Sequence, residues 1–332
     1  MRRLGKTNLR VHEIGLGGIP LQRVNGEDTR AIIRAMQERG ANVIDTARGY
    51  TVSEKLIGEA LRDCRDNFFI FTKSSARSYS EMSRDIKLSL DNLATDYIDL
   101  YQFHNVKNLD EYNVIMGENG AYRALLEAKE RGQIGHIGLT THKLDLLEEI
   151  IDDYPFETIQ FPYNIVETQA EELFKKAAAK DIGIIVMKPL AGGAIADASL
   201  ALKFILSNPD VSVAIPGMES VEQVAANLSV SGQPLTSFEL AEIEKIRDTL
   251  GNDFCRRCGY CLPCAAGIDI PTCFTFEGYY TRYNLTEWAA SRYDAMEKHA
   301  SDCIGCRACE SRCPYGLAIA EKMKTVATVF KF

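Results

Sequence analysis

Between Ile14 and Pro216 short apolar runs alternate eight times with amphipathic segments, and that rhythm limits the chain to very few folds. The runs are Ile14–Leu16, Val43–Asp45, Phe68–Thr72, Ile98–Phe103, Ile134–Leu139, Thr158–Phe161, Gly183–Met187 and Val211–Ile215. Helical patterns lie between and after them at Thr29–Arg39, Ser53–Arg62, Ser80–Leu93, Tyr122–Arg131, Leu144–Asp153, Ala170–Lys180, Leu200–Leu206 and Val221–Leu228. A strand followed by a helical crossover returns the chain parallel to itself, so repeated units build a parallel sheet covered by helices. Eight units close such a sheet into a (β/α)8 TIM barrel, an α/β fold; the alternative is an open doubly wound sheet. Ahead of the first run, Arg2–His12 contains Gly5 and Thr7-Asn8 and reads as a short hairpin plugging the barrel's bottom.

The pattern changes after a last helix at Ser237–Leu250, where Gly251-Asn252-Asp253 reads as a helix stop and a domain boundary. This gives a barrel over residues 1–250 and a small, mainly helical domain over 251–332. Eight of the ten cysteines fall in the second part, as Cys255, Cys258, Cys261, Cys264 and then Cys303, Cys306, Cys309, Cys313 followed by Pro314. The second run reads C-x2-C-x2-C-x3-C-P, the ferredoxin-like spacing in which three thiolates hold one [4Fe–4S] cluster and the fourth reaches a neighbouring one. Zinc sites usually combine two separated C-x2-C pairs, which suits this run less well. In the first run Cys264 comes one residue early. Cys64 reads as a packed or surface thiol, and Cys273 as a buried spare thiol that could otherwise replace Cys264. Between the runs, residues 275–299 have helical periodicity, with Tyr279, Tyr280, Tyr283, Trp288 and Tyr293 packing around the clusters and against the barrel.

Several classes are excluded. No stretch approaches the roughly 18–20 apolar residues of a membrane span. The start Met1-Arg2-Arg3-Leu4-Gly5 is not followed by the apolar run of a signal peptide, so cysteines this dense point to a reducing cytoplasm rather than to disulfides. A net charge of −8 without a basic stripe argues against nucleic-acid binding.

In a (β/α)8 enzyme, functional side chains gather at the C-terminal ends of the strands. The second strand ends in D-T-A-R-G-Y, with Asp45 and Tyr50; the third ends in F-T-K, with Lys73; the fourth ends in Y-Q-F-H-N, with His104. Reducing a carbonyl needs a proton donor beside the developing alkoxide, and a free tyrosine with a pKa near 10 is a weak one. An ammonium stabilises its phenolate, a carboxylate keeps that ammonium charged, and a histidine can hydrogen-bond the oxygen.

The ordered set R-R-L-G-K-T-N-L-R-V-H-E-I-G-L-G-G, D-T-A-R-G-Y-T-V-S-E-K-L-I-G-E-A-L, F-T-K-S and D-Y-I-D-L-Y-Q-F-H-N resembles the aldo-keto reductase family over about residues 1–250. With C-R-R-C-G-Y-C-L-P-C-A-A-G-I-D-I-P and C-I-G-C-R-A-C-E-S-R-C-P, the chain further resembles the subgroup with a C-terminal dicluster ferredoxin-type extension. The resemblance implies Tyr50 as general acid, Lys73 and Asp45 as its tuners, and His104 as the group that orients the substrate. It places carboxamide contacts at Gln160, Thr140 and Thr141, the two threonines standing where serine and asparagine are more usual. Met187 falls where an aromatic ring commonly covers the nicotinamide. Lys188 and the turn Ala191-Gly192-Gly193 suit a pyrophosphate. The loop with Pro216, Gly217, Met218, Glu219, Gln223 and Asn227 has no basic residue before Gln223, so Glu219 favours NADH over NADPH.

The crossing rule gives one cluster to Cys255, Cys258, Cys261 and Cys313 and the other to Cys303, Cys306, Cys309 and Cys264. A single cluster with a vestigial run is the runner-up. Three functions follow. The chain is an NAD(P)H-dependent carbonyl reductase exchanging electrons with a ferredoxin-like partner, or a reductase whose clusters are structural or redox-sensing, or an electron-transfer or binding module that does not use nicotinamide. The first needs a converter between two-electron hydride and one-electron clusters, and a flavin partner would serve. Substrate identity and oligomeric state carry no signal in the sequence.

Overall fold

The computed structural model describes residues 1–250, 254–257, 259–283, 285–313 and 315–331. All eight apolar runs enter one parallel sheet, as β3 (Leu16–Gly17), β4 (Val43–Asp45), β5 (Phe69–Ser74), β6 (Ile98–Phe103), β7 (Ile134–Thr140), β8 (Thr158–Pro162), β9 (Gly183–Met187) and β10 (Val213–Ala214). Each strand pairs with the next in chain order. The sheet closes on itself, because Ile14 bridges Ala214 and Gly17 bridges Gly217, with Gly15 N donating to Ala214 O at 2.8 Å. Such strands are covered on both faces, which is why they read as unbroken apolar runs; all six residues of β6 are buried.

A two-stranded antiparallel hairpin, β1 (Arg2–Arg3) and β2 (Arg10–Val11), precedes the barrel. Its Leu4 and Val11 are fully buried in one apolar cluster with Val43, Phe71, Leu100, Ile185 and Val213, so the hairpin plugs the barrel's bottom as expected. Arg2 fastens it by donating to Leu206 O and Val211 O, each at 2.7 Å. Gly5, at φ +50°, lies against the backbone of Ile182 and Gly183, where an added Cβ would come within 2.2 Å of Gly183 N.

The outer layer consists of α1 (Gly26–Glu38), α2 (Ser53–Leu61), α3 (Tyr79–Leu93), α4 (Leu109–Met116), α5 (Ala121–Glu130), α6 (Leu144–Ile150), α7 (Glu171–Ala179), α8 (Ala198–Leu206) and α9 (Val221–Leu228). Local chemistry sets several starts. Asn25 caps α1, Ser220 caps α9, and Ser78 with Glu81 forms a capping box at α3. The segment after His104, mixed and polar in sequence, contains α4, which buries only Ile115.

The chain divides into two compact units. One comprises Met1–Asn164, Thr168–Pro189 and Ala198–Leu235; the other comprises Ile165–Glu167, Leu190–Asp197 and Thr236–Phe332. The second contains α10 (Ser237–Leu250), α11 (Ile270–Thr281), α12 (Thr286–Asp294) and α13 (Ile319–Phe330). Ile268, Ile270, Cys273, Tyr293, Met323, Val326 and Phe330 form its core. Tyr293 stacks on Phe330 with ring centroids 3.9 Å apart, and its hydroxyl accepts from Ala300 N at 2.7 Å. The helix-stop segment Gly251-Asn252-Asp253 and the residues Cys258 and Pro314 lie outside the described residues. Among the described residues no helix is long and apolar enough to cross a membrane.

Candidate active site and candidate metal centre

Side chains with opposite charge are expensive to bury unless they meet, and at the C-terminal ends of β4 and β5 two do. Lys73 donates to Asp45 and, at 2.8 Å, to Thr46 O; the two residues are each 2% exposed. Gln102 on β6 donates to the other Asp45 oxygen at 3.4 Å, and Gln160 on β8 adds a further hydrogen bond to that carboxylate. Burial lowers the Lys73 pKa, opposed by Asp45; burial likewise raises Asp45, opposed by Lys73. The Lys73 ammonium lies 5.2 Å from the centre of the Tyr50 ring, and that ring meets His104 edge-on at 5.9 Å. Burial, with Lys73 and Arg77 nearby, pushes the His104 pKa down to about 3. The four expected catalytic residues therefore converge, with His104 neutral at ordinary pH.

Three positions that sequence reasoning did not select hold this group. Glu54, 1% exposed, accepts from Arg48, from Thr72 at 2.8 Å, from Ser89 at 2.9 Å and from Asn92 at 3.2 Å. Arg48 N in turn donates to Lys73 O at 2.9 Å, so the loop bearing Tyr50 is fixed at both ends. Glu54 opens a helix, as its sequence position suggests, but its carboxylate is a buried hub between α2, β5 and α3. Arg77 donates to His104 O at 2.9 Å and to Asn105 O at 3.1 Å while pairing with Glu111 on α4. The only local signal for these residues was the D-T-A-R-G-Y-T-V-S-E block itself, which contains Arg48 and Glu54.

The residues expected around a nicotinamide divide. Gln160 is 1% exposed, and its Oε1 meets no hydrogen-bond donor among the described residues, so it can accept from a carboxamide. Thr140 accepts from Asn105 N at 2.8 Å and keeps its own proton to donate; Thr141 is used at both ends, by Val106 O at 2.6 Å and Lys143 N at 3.0 Å. Met187 ends β9 partly exposed, and Lys188, at φ +55°, accepts at its carbonyl from Asn164 Nδ2 at 3.1 Å. Pro216 O accepts from Gly17 N at 2.8 Å, and Gly217 lies against Pro20. Gln223 Oε1 accepts from Glu219 N at 2.8 Å, and Asn227 is buried on α9. Glu219 pairs with Arg23 at 2.5 Å, a cation separated from it by 196 positions. The turn Ala191-Gly192-Gly193 belongs to the second unit, where Gly192 O accepts from Arg282 Nε at 3.0 Å.

In the second unit a cavity is lined by Cys264, Cys303, Cys306 and Cys309, with apolar walls that include Ile268, Ile270 and Met323. These are the four thiols expected for the second cluster, Cys264 among the lining residues. Cys273 lies instead in the core, and burial pushes its thiol up to about 12. Cys255, Cys261 and Cys313 join the same core cluster, and Arg312 ties the two runs by donating to Cys261 O and Pro263 O, each at 2.7 Å. No three His, Cys, Asp or Glu side chains among the described residues converge on a single ion. Soft thiolates spread around an apolar cavity fit a multi-iron cluster better than one metal ion.

The aldo/keto reductase family model matches residues 13–200 and 196–248, and a 4Fe-4S dicluster domain matches 254–318. L-galactose dehydrogenase from Arabidopsis thaliana is 26% identical, over 76% of this chain and 95% of its own length. The oxidoreductase YqkF from Bacillus subtilis is 25% identical, over 70% and 81%. Among solved structures, the holo form of aldo-keto reductase AKR11C1 from Bacillus halodurans superimposes with a TM-score of 0.64 at 27% identity, over 74% of this chain and 95% of that one. The chain is thus an oxidoreductase that belongs to the aldo/keto reductase family and carries a C-terminal 4Fe-4S dicluster domain.

Proposed function

We propose that the barrel reduces a small aldehyde or ketone with NAD(P)H, with Tyr50 as general acid, and that the clusters exchange electrons with a ferredoxin-like or flavin partner. The convergence of Tyr50, Lys73, Asp45 and His104 at one end of the barrel carries this reading. When bound, the coenzyme supplies a hydride and the clusters supply single-electron exchange. The chain supplies the proton and the geometry. Tyr50 gives its phenolic proton to the carbonyl oxygen, and the Lys73 ammonium beside the ring stabilises the phenolate left behind. Asp45 keeps Lys73 charged against its burial. His104, neutral, donates an N–H to the same oxygen and fixes the carbonyl's orientation. Gln160 and Thr140 hold the carboxamide.

Anaerobic protein with iron and sulfide counted, given NADH or NADPH and a panel of small carbonyls, tests the proposal. About eight irons per chain follow from two [4Fe–4S] clusters. Coenzyme oxidation that depends on a carbonyl is the expected result, with cluster bleaching by NADH only when a flavin partner is added to divide the hydride's two electrons; no oxidation with any carbonyl would sink the reductase reading. A second reading, in which the clusters are structural, is favoured by the membership of Cys261 and Cys309 in the small unit's core. It expects cysteine-to-serine changes to lower the melting temperature with kcat unchanged.

Two further predictions follow. The ordinary histidine value is 6.5 and His104 is held near 3, so kcat is expected to show no His104 break between about pH 5 and 8. Because its folded value is depressed, the unfolded chain takes up the proton first, and stability contributed here falls as pH drops below 6.5. An acid limb near neutrality that vanishes in His104→Gln would contradict this assignment. For the coenzyme, Glu219 supports NADH, but Arg23 closes its charge, so the preference is expected to be small. Glu219→Ala removes a carboxylate that would repel a 2′-phosphate and should tighten NADPH relative to NADH by about tenfold. An unchanged ratio of the two dissociation constants, read by fluorescence titration, would refute that role.

A further inference from the structure

Two short stretches of chain are held by arginines of the cysteine-rich unit. Ile165–Glu167 follows shortly after β8, which carries Gln160, and Leu190–Asp197 follows shortly after β9, which ends at Met187. Arg247 donates to Ile165 O at 3.1 Å, Arg256 to Val166 O at 2.9 Å, and Arg282 to Gly192 O at 3.0 Å. The fourth grip is ionic: Arg257 pairs with the Glu167 carboxylate at 2.7 Å, with side chains 13% and 1% exposed. Little water is available to either partner, so their charges are weakly screened.

Arg257 sits two residues after Cys255, in the left-handed region at φ +60°, and its Nη1 donates to Cys255 O at 3.2 Å. Its Nε is buried and meets no acceptor among the described residues. The guanidinium is thus shared between the backbone of a cluster-binding run and a carboxylate on the stretch that follows Gln160. A bound metal group is often the largest local charge in such a place, and each added electron makes it one unit more negative. More negative charge beside Cys255 competes with Glu167 for Arg257.

We propose that the Arg257–Glu167 pair couples the charge of the cluster held by the first cysteine run to coenzyme binding, with both residues acting as positioning residues through Ile165–Glu167. This rests on the reading that the barrel binds a nicotinamide coenzyme and that the first cysteine run holds a cluster. By linkage, if reduction loosens coenzyme binding, then coenzyme binding must lower the cluster's midpoint potential equally.

The test uses the holoprotein and 1,4,5,6-tetrahydro-NAD, a coenzyme analogue that cannot give up a hydride. Its Kd is measured by anaerobic calorimetry with the clusters oxidised and after one-electron reduction by dithionite, and potentials are read by EPR-monitored titration with and without it. The expected result is binding about tenfold weaker to the reduced protein, which converts to a midpoint about 59 mV lower with the analogue present. In Glu167→Gln, with iron, sulfide and circular dichroism matching the parent, this shift should disappear. Tight binding with identical potentials overturns the coupling alone, as does a full shift retained in Glu167→Gln. No binding of the analogue, NADH or NADPH overturns both the coupling and the coenzyme reading. The parent protein's own shift decides the matter if the variant does not fold.

Discussion

Tyr50→Phe is expected to lower kcat for carbonyl reduction by about 10²–10⁴-fold, the range general acids contribute, with coenzyme affinity unchanged. The change removes one hydroxyl and keeps the ring, so the edge-on contact with His104 and the ammonium–ring contact with Lys73 persist. The loop geometry also persists, because Arg48, Glu54 and the backbone bond from Ser53 N to Tyr50 O do not involve the hydroxyl. What is lost is the proton at the position where an alkoxide develops. A variant that keeps more than about a tenth of the parent kcat would place the acid elsewhere, since a proton donor that matters contributes at least 10²-fold. Single-turnover hydride transfer with a deuterated coenzyme makes the comparison on the chemical step itself.

Lys73→Met carries the largest expected cost to stability. It leaves Asp45 buried without its ammonium, and breaking a buried pair in this way typically costs about 3–5 kcal/mol. The hydrogen bonds from Gln102 and Gln160 remain but bring no charge. With Lys73 gone, desolvation acts on Asp45 without its main opponent, so the folded carboxyl titrates above its ordinary 3.8. A carboxyl whose folded value is raised destabilises the fold above the unfolded value. The deficit should therefore be greatest near pH 7 and shrink as pH falls toward 3.8. Urea melts at several pH values measure it. Asp45→Asn combined with Lys73→Met should recover most of the stability and none of the turnover. That split separates the pair's two contributions, because a neutral amide needs no counter-charge while Tyr50 still lacks a cation beside its ring. If the double variant is as unstable as Lys73→Met alone, the ion pair is not what Lys73 contributes.

The barrel was legible because its strands are covered on both faces, which turns each into a short unbroken apolar run. Val43–Asp45, Ile98–Phe103 and Gly183–Met187 match the expected bounds residue for residue. The shortest strands, β3 and β10, agree only in position, because closure there depends on single bridges such as Ile14 to Ala214. Helix α4 escaped notice because its buried side is a single residue, Ile115, so no apolar stripe reaches the sequence. Helix α13 could have been found, since Ile319, Met323, Val326 and Phe330 recur at helical spacing and all are buried. The cavity is lined by the cysteine set that the crossing rule assigns to one cluster, although the spacing at Cys264 departs from the usual run. Other features could not follow from spacing. Arg23 and Glu219 are 196 positions apart, and no local pattern announces their meeting. Glu54 stands at a helix start, and only the fold shows four donors closing on it.

The second unit owns two stretches, Ile165–Glu167 and Leu190–Asp197, that lie inside the span matched by the reductase family model. The sequence family and the compact units therefore cut this chain at different places. Amide protons in those stretches should exchange together with α11 and α13, on the opening of the cysteine-rich unit, even where neighbouring strands stay shut. Truncation after Leu250 would not remove a module cleanly. It would strip Arg256 and Arg282 from the backbone they hold and remove Arg257 from the Glu167 carboxylate. A reductase engineered from this chain by deletion would lose three of the four arginines that hold those stretches.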